Sequence, residues 1–156
     1  MRVENINPFI ESVYDLFNTM LNVKAQRKEV GIAKSSANPR DIMALIGISG
    51  RVRGMVALAF PVSTALAMVN KLLNTNIKCI DDTISDAIAE MVNIIAGGAK
   101  ARMNTGNESP LDLSLPTVVR GGDFCVEYPT NSVWLEINFD SELGPFTLRV
   151  TFEPEK

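Results

Sequence analysis

Asp86, Glu90, Asn93 and Gly97 are the residues in this 156-residue chain whose types and spacing could do chemistry together. At about 100° per residue they fall within an arc roughly 60° wide on one side of a helix. Ile84, Ile88, Met91, Val92 and Ile95 cluster on the opposite side, so the stretch 83–100 reads as an amphipathic helix. A solvated helix face normally carries long Lys and Glu side chains. This one is narrow, polar and bordered by the small residues Ala89, Ala96 and Gly97. The available chemistry is that of carboxylates, amides or a partner's groups, because the chain contains no histidine. Ser-His-Asp and Cys-His arrangements and His-based metal sites are thereby excluded. Two distant cysteines, Cys79 and Cys125, cannot form a zinc cage. Gly47-Ile-Ser-Gly50 lacks the ending of a phosphate-binding loop. Glu90 and Asn93 could also be no more than an exposed polar pair at i, i+3. Gly97 and Gly98 each cost a helix up to about 1 kcal/mol relative to Ala. They mark either an interruption or a close approach.

The length fits one domain over residues 1–156 that buries roughly 70% of its unfolded surface. A hydrophobic content of 46% with 21% charged residues is ordinary for a soluble globular protein. A net charge of −3 and scattered Lys and Arg argue against nucleic acid. Nothing approaches the roughly 18 apolar residues of a membrane span, and the start has no apolar signal segment. With only two cysteines, both expected reduced and one in a strand interior, the expectation is a cytoplasmic protein. No tail is expected beyond the last strand.

The elements that must position the polar arc follow from periodicity. A first helix opens with Asn7 as N-cap and Pro8 in the first turn, with a stripe of Phe9, Ile10, Val13, Tyr14, Phe17, Met20 and Leu21. A strand is expected over 23–34 and a loop over 35–40. The runs 42–49 and 55–60 form a hairpin through Gly50 and Gly54, apolar at nearly every position, so both faces should be covered. Ser63 is expected to cap a helix to about Asn74, with a buried stripe of Ala65, Leu66, Val69, Leu72 and Leu73. Asp81 and Asp82 suit the start of the long helix, which should end near Met103. A flexible turn over 105–110 is followed by four strands over 111–119, 124–128, 133–140 and 146–152. Each half opens with a helix and ends on a hairpin whose last Phe is followed closely by Pro. This weak repeat suggests a duplicated α+β fold with long helices packed on a largely antiparallel sheet.

Asp86-x-x-x-Glu90-x-x-Asn93-x-x-x-Gly97, inside Ala-Glu-Met-Val-Asn-Ile-Ile-Ala-Gly-Gly-Ala-Lys, resembles the signature of the CheC/CheX/FliY chemotaxis phosphatases. Asn5-Ile-Asn-Pro-Phe at the start, the Gly50…Gly54 hairpin ending Ala-Phe-Pro, and the length are most similar to the CheX type. The resemblance implies a CheC-like duplicated fold and dephosphorylation of the aspartyl phosphate of a CheY-like response regulator. It gives Asn93 the role of orienting the attacking water and Glu90 that of pairing with a regulator lysine. Asp86 and Gly97 would border the contact surface. No metal or cofactor is implied for this chain, since Mg²⁺ would be supplied in the regulator's active site. A carboxamide suits the task, having acceptor and donors and no charge to repel a phosphoryl group. A homodimer is also implied, for which Val133, Trp134, Phe139 and Phe146 offer β-rich material. Asp15-x-x-Asn18 stands at the matching place in the first helix, with the shorter acid, and reads as a degenerate second site. The alternatives are a non-catalytic docking module of the same fold, binding a regulator or a flagellar switch component, and a purely structural dimer.

Overall fold

The computed structural model describes residues 6–33, 41–104, 110–121 and 133–153. Among these residues seven strands form one antiparallel sheet: β1 (Ala25–Ala33), β2 (Ile42–Ser49), β3 (Gly54–Phe60), β4 (Asp112–Leu113), β5 (Thr117–Arg120), β6 (Trp134–Ser141) and β7 (Phe146–Phe152). Their order is β1-β6-β7-β3-β2, with β4 and β5 sharing the outer edge of β2. The helices α1 (Asn7–Leu16), α2 (Val62–Leu73) and α3 (Asp82–Met103) lie on one face. The fold is therefore α+β, as the periodicities suggest. The duplication is visible in how like meets like. The first helices of the two halves, α1 and α3, pack together, and their last strands, β3 and β7, pair from Gly54↔Phe152 to Ala59↔Thr147.

Alternation along each strand builds the core. Phe146, Leu148, Val150 and Phe152 of β7 point toward the helices, as do Ile42, Ala44, Ile46 and Ile48 of β2. On the other face Met43, Leu45, Ala57 and Ala59 form a smaller buried cluster, so both sides of the β2–β3 hairpin are covered as expected. Across β6 and β7 on that face, Arg149 Nε donates to Glu136 Oε2 at 3.1 Å and Thr147 Oγ1 to Asn138 Oδ1 at 3.0 Å. Between sheet and helices, Phe146 is stacked by Phe17 at 4.8 Å and by Phe139 at 5.0 Å, with Phe60 at 5.7 Å. Trp134, Phe139 and Phe146 are each at most 2% exposed. These aromatics are consumed inside the chain and are not free for a dimer surface. Val133 alone of that group is exposed.

Several local expectations shift for identifiable reasons. Ile6, not Asn7, is the N-cap of α1, which has Pro8 in its first turn. The helix then widens into a π-helical turn over Phe17–Leu21 and stops at Asn22, which is left-handed at φ 53°. The widening turns Met20 outward and leaves Leu16 in the buried stripe. Pro61, not Ser63, is the N-cap of α2. The freed amide of Val62 instead donates to Asp41 Oδ2 at 3.1 Å, a cap brought from the start of β2. Leu73, assigned to the buried stripe, is exposed, and Thr64 and Met68 are buried in that helix. Thr64 Oγ1 donates to Pro145 O at 2.9 Å, against the β6–β7 turn, where Gly144 has φ +122° and a Cβ would collide with Thr64. The single strand expected over 111–119 is two. Pro116 has no amide proton for a ladder, and Ser114 N turns to Gly47 O at 2.9 Å between β4 and β5. Cys79 is free and exposed, not in a strand. Cys125, the loop at 35–40, most of the 105–110 turn and the 124–128 strand lie outside the described residues.

Asp81 is the N-cap of α3, its Oδ1 accepting from Ile84 N at 2.9 Å. Replacing it leaves that amide without its side-chain acceptor. Asp81→Ala should lower unfolding free energy by about 1 kcal/mol, measured as a shift in denaturant midpoint at unchanged slope.

Candidate functional site

Helix α3 runs for 22 residues without a break. Ile84, Ile88, Met91, Val92 and Ile95 are each at most 1% exposed, joined by Ala96 and Ala99. Burial of this stripe fixes the rotation of the helix, and the opposite line is thereby turned outward. Asp86, Glu90 and Asn93 are exposed, and Gly97 is half-buried. The sequence-predicted site residues are thus brought onto one face, with Glu90 and Asn93 one turn apart.

The two glycines answer different needs. A Cβ on Gly98 would collide with Ser12 Oγ and come within 3.3 Å of Ser12 Cβ. Here α1 presses against α3, and Ser12 Oγ donates to Ile95 O at 2.8 Å. Gly98 is therefore a packing glycine. A Cβ on Gly97 would meet nothing within 4 Å. The fold does not require glycine there, although it costs the helix interior about 1 kcal/mol relative to Ala. The missing side chain leaves the ground beside Asn93 flat and open.

Among the described residues, Asp86, Glu90 and Asn93 make no hydrogen bond or ion pair through their side chains. No group of three metal-ligating side chains occurs among them. One cleft of about 290 Å³ is lined by Lys24, Gln26, Asp140, Ser141 and Glu142. Another of about 410 Å³ lies at the β2–β3 end around Ser49, Arg53 and Ser114. Neither is lined by a residue of α3. A carboxylate and a carboxamide on a convex helix can insert into a cleft supplied by something else, but cannot enclose a small molecule.

The corresponding place on α1 is already engaged. Arg102 Nε lies 3.2 Å from Glu11 Oε2, and Arg102 Nη2 is bonded to Asp15 Oδ2. Asn18 falls in the π-helical turn, which displaces it from an α-helical i, i+3 relation to Asp15. Ser12 and Arg102 were not singled out in the sequence. The signal for Ser12 is a small polar residue within an apolar stripe, 4% exposed, in a chain that also carries a glycine doublet.

An antiparallel sheet backed by paired first helices, with an open Glu/Asn face on the second of them, defines a CheC-like class of protein. The model of the family described as chemotaxis phosphatase CheX matches residues 42–140, which include all of α3, and the chain belongs to that family. It is 25% identical over 123 residues to the CheY-P phosphatase CheX of Thermotoga maritima, covering 78% of this chain and 79% of that one. A CheC-like superfamily protein from Shewanella sp. PV-4 superposes with a TM-score of 0.87 at 28% identity, covering 99% of this chain and all of the other. The CheX of the Borrelia burgdorferi CheX–CheY–BeF3–Mg²⁺ complex shares the fold, with a TM-score of 0.79 at 21% identity over 98% of this chain and all of that one. No helix of the described residues is long and apolar enough to cross a membrane.

The glycine pair yields a contrast that thermal unfolding can read. Gly97→Ala should raise stability by up to about 1 kcal/mol, since the methyl enters open space. Gly98→Ala should lower it by about 1–3 kcal/mol by forcing α1 and α3 apart.

Proposed function

We propose that this protein dephosphorylates the aspartyl phosphate of a CheY-like response regulator, with α3 inserted over the regulator's active site. Asn93 orients the attacking water and Glu90 pairs with a regulator lysine, while Asp86 and Gly97 border the contact. The observation that carries this reading is the face itself. Glu90 and Asn93 have no partner among the described residues, and beside them stands a glycine that the fold does not need. Such a face is complete only when another molecule brings the phosphoryl group. Family membership and the relative named a CheY-P phosphatase point to the same partner. The regulator's own Mg²⁺ would neutralise charge on the phosphoryl oxygens, so what this chain must supply is positioning. The Asn93 amide can accept a hydrogen bond from water through Oδ1 without presenting a charge to the phosphoryl group. The Glu90 carboxylate fixes the docked register. On this reading the protein works in the cytoplasm beside its regulator.

Asn93→Ala should leave folding intact and reduce stimulated dephosphorylation by about 10²-fold, the scale of losing one well-placed polar group in a transition state. Single-turnover decay of phosphorylated regulator, with and without the protein, measures this. Decay as fast with the variant as with the wild type would overturn the role of Asn93. Binding without any acceleration by the wild type would identify a docking module instead.

We further propose a homodimer formed through the β1 edge of the sheet. Val30 and Ile32 are 52% and 73% exposed on this strand, next to exposed Val133, and beyond β6 it has no paired neighbour among the described residues. Light scattering should give twice the 17.0 kDa chain mass, and Ile32→Glu should shift it toward the single-chain value. A single-chain mass for the wild type would rule the dimer out.

A further inference from the structure

The polar face of α3 carries a register but no anchor. Asp86, Glu90, Asn93 and Gly97 include no apolar side chain, whereas protein interfaces draw most of their affinity from a few buried apolar or Arg side chains near the centre. The segment from Leu111 to Arg120 supplies the missing element. At one end Leu111 N donates to Asn104 Oδ1 at 3.3 Å, just past the C-terminus of α3. At the other, Arg120 Nη1 donates to Ile80 O at 3.4 Å, and Nη2 lies 3.8 Å from Asp82 Oδ1 at the N-terminus. The segment therefore runs alongside α3 in the opposite direction. An extended stretch of this length spans about 30 Å, against about 33 Å for the helix. Its midpoint falls at Leu115 and Pro116, level with the midpoint of α3 at Val92 and Asn93.

Leu115 is 88% exposed, more than any other large apolar side chain among the described residues. Its exposure is held in place. Ser114 N donates to Gly47 O at 2.9 Å, Ser114 Oγ accepts from Gly47 N at 2.7 Å and donates to Leu115 O at 3.1 Å, and Pro116 restrains the backbone that follows. Leu115 lies in the bend between β4 and β5, and β5 packs beside α3, so the residue flanks the helix that carries Asn93.

We propose that Leu115 is an apolar docking residue for the same CheY-like receiver, setting affinity while Glu90 and Asn93 set register and chemistry. The inference rests on the docking reading of α3, and its occupant is the receiver because the residue is continuous with that face. The test titrates the protein with the cognate CheY-like receiver activated by beryllofluoride and Mg²⁺, and separately measures turnover of phosphorylated receiver. Leu115→Asp should weaken binding by about tenfold or more and raise KM in parallel, with kcat within twofold. Leu115→Met should retain binding within about threefold. The oligomeric mass should be the same for both variants and the wild type. Unchanged Kd and KM for Leu115→Asp would overturn the proposal. So would a fall in oligomeric mass, which would assign Leu115 to a second copy of the chain. If the wild type binds but does not accelerate decay, the phosphatase reading fails and the titration still decides the role of Leu115. If it does not bind, both fail.

Discussion

The contact on which the outward face of α3 depends is the close approach of α1 and α3 at Ser12 and Gly98. With no side chain on Gly98, Ser12 can reach the backbone of α3 and donate to Ile95 O at 2.8 Å. Together with the buried isoleucines, this fixes both the depth and the rotation of α3. A helix turned by a single residue, about 100°, would bring apolar side chains out and carry Glu90 and Asn93 off the outward face. Arg102 adds a second tie nearer the helix end, to Glu11 and Asp15. The face is therefore held from behind by α1 and by the sheet, while its own side chains stay uncommitted. Rigidity behind and freedom in front are what a positioning catalyst needs.

The duplicated layout brings out how differently the two halves use their first helices. β3 and β7 pair at the centre, and α1 and α3 lie against each other above them. The second half presents an open polar line. The first has given its acids to Arg102 and ends its helix in a π-helical turn. The corresponding surface of α1 is a brace for α3, so what departs from symmetry in the first half gives support to the open face of the second.

Much of this was legible in the sequence where the signal is local and periodic. The helix around Glu90 could be placed because five apolar residues repeat at helical spacing and Asp81 caps it through its own third amide onward. The β2–β3 hairpin was equally plain, its two runs being apolar on both faces. What could not be read depends on contacts from far along the chain. The cap of α2 comes from Asp41, 21 residues away, and a nearer serine was the natural but mistaken choice. The aromatics of β6 and β7 looked available for a partner because alternation does not say which face a helix will cover. Gly97 and Gly98 could not be told apart until Ser12 was seen to touch only one of them.

If the reaction is carried by Glu90 and Asn93, exposed on the outer side of a helix, that placement has a consequence for what such a protein could be inhibited by or could mistake for its substrate. An active-site pocket recognises any small molecule of the right shape, including stray metabolites and drugs. A bare ridge recognises only a folded surface with a matching hollow. Discrimination then belongs to the shape of a whole protein face.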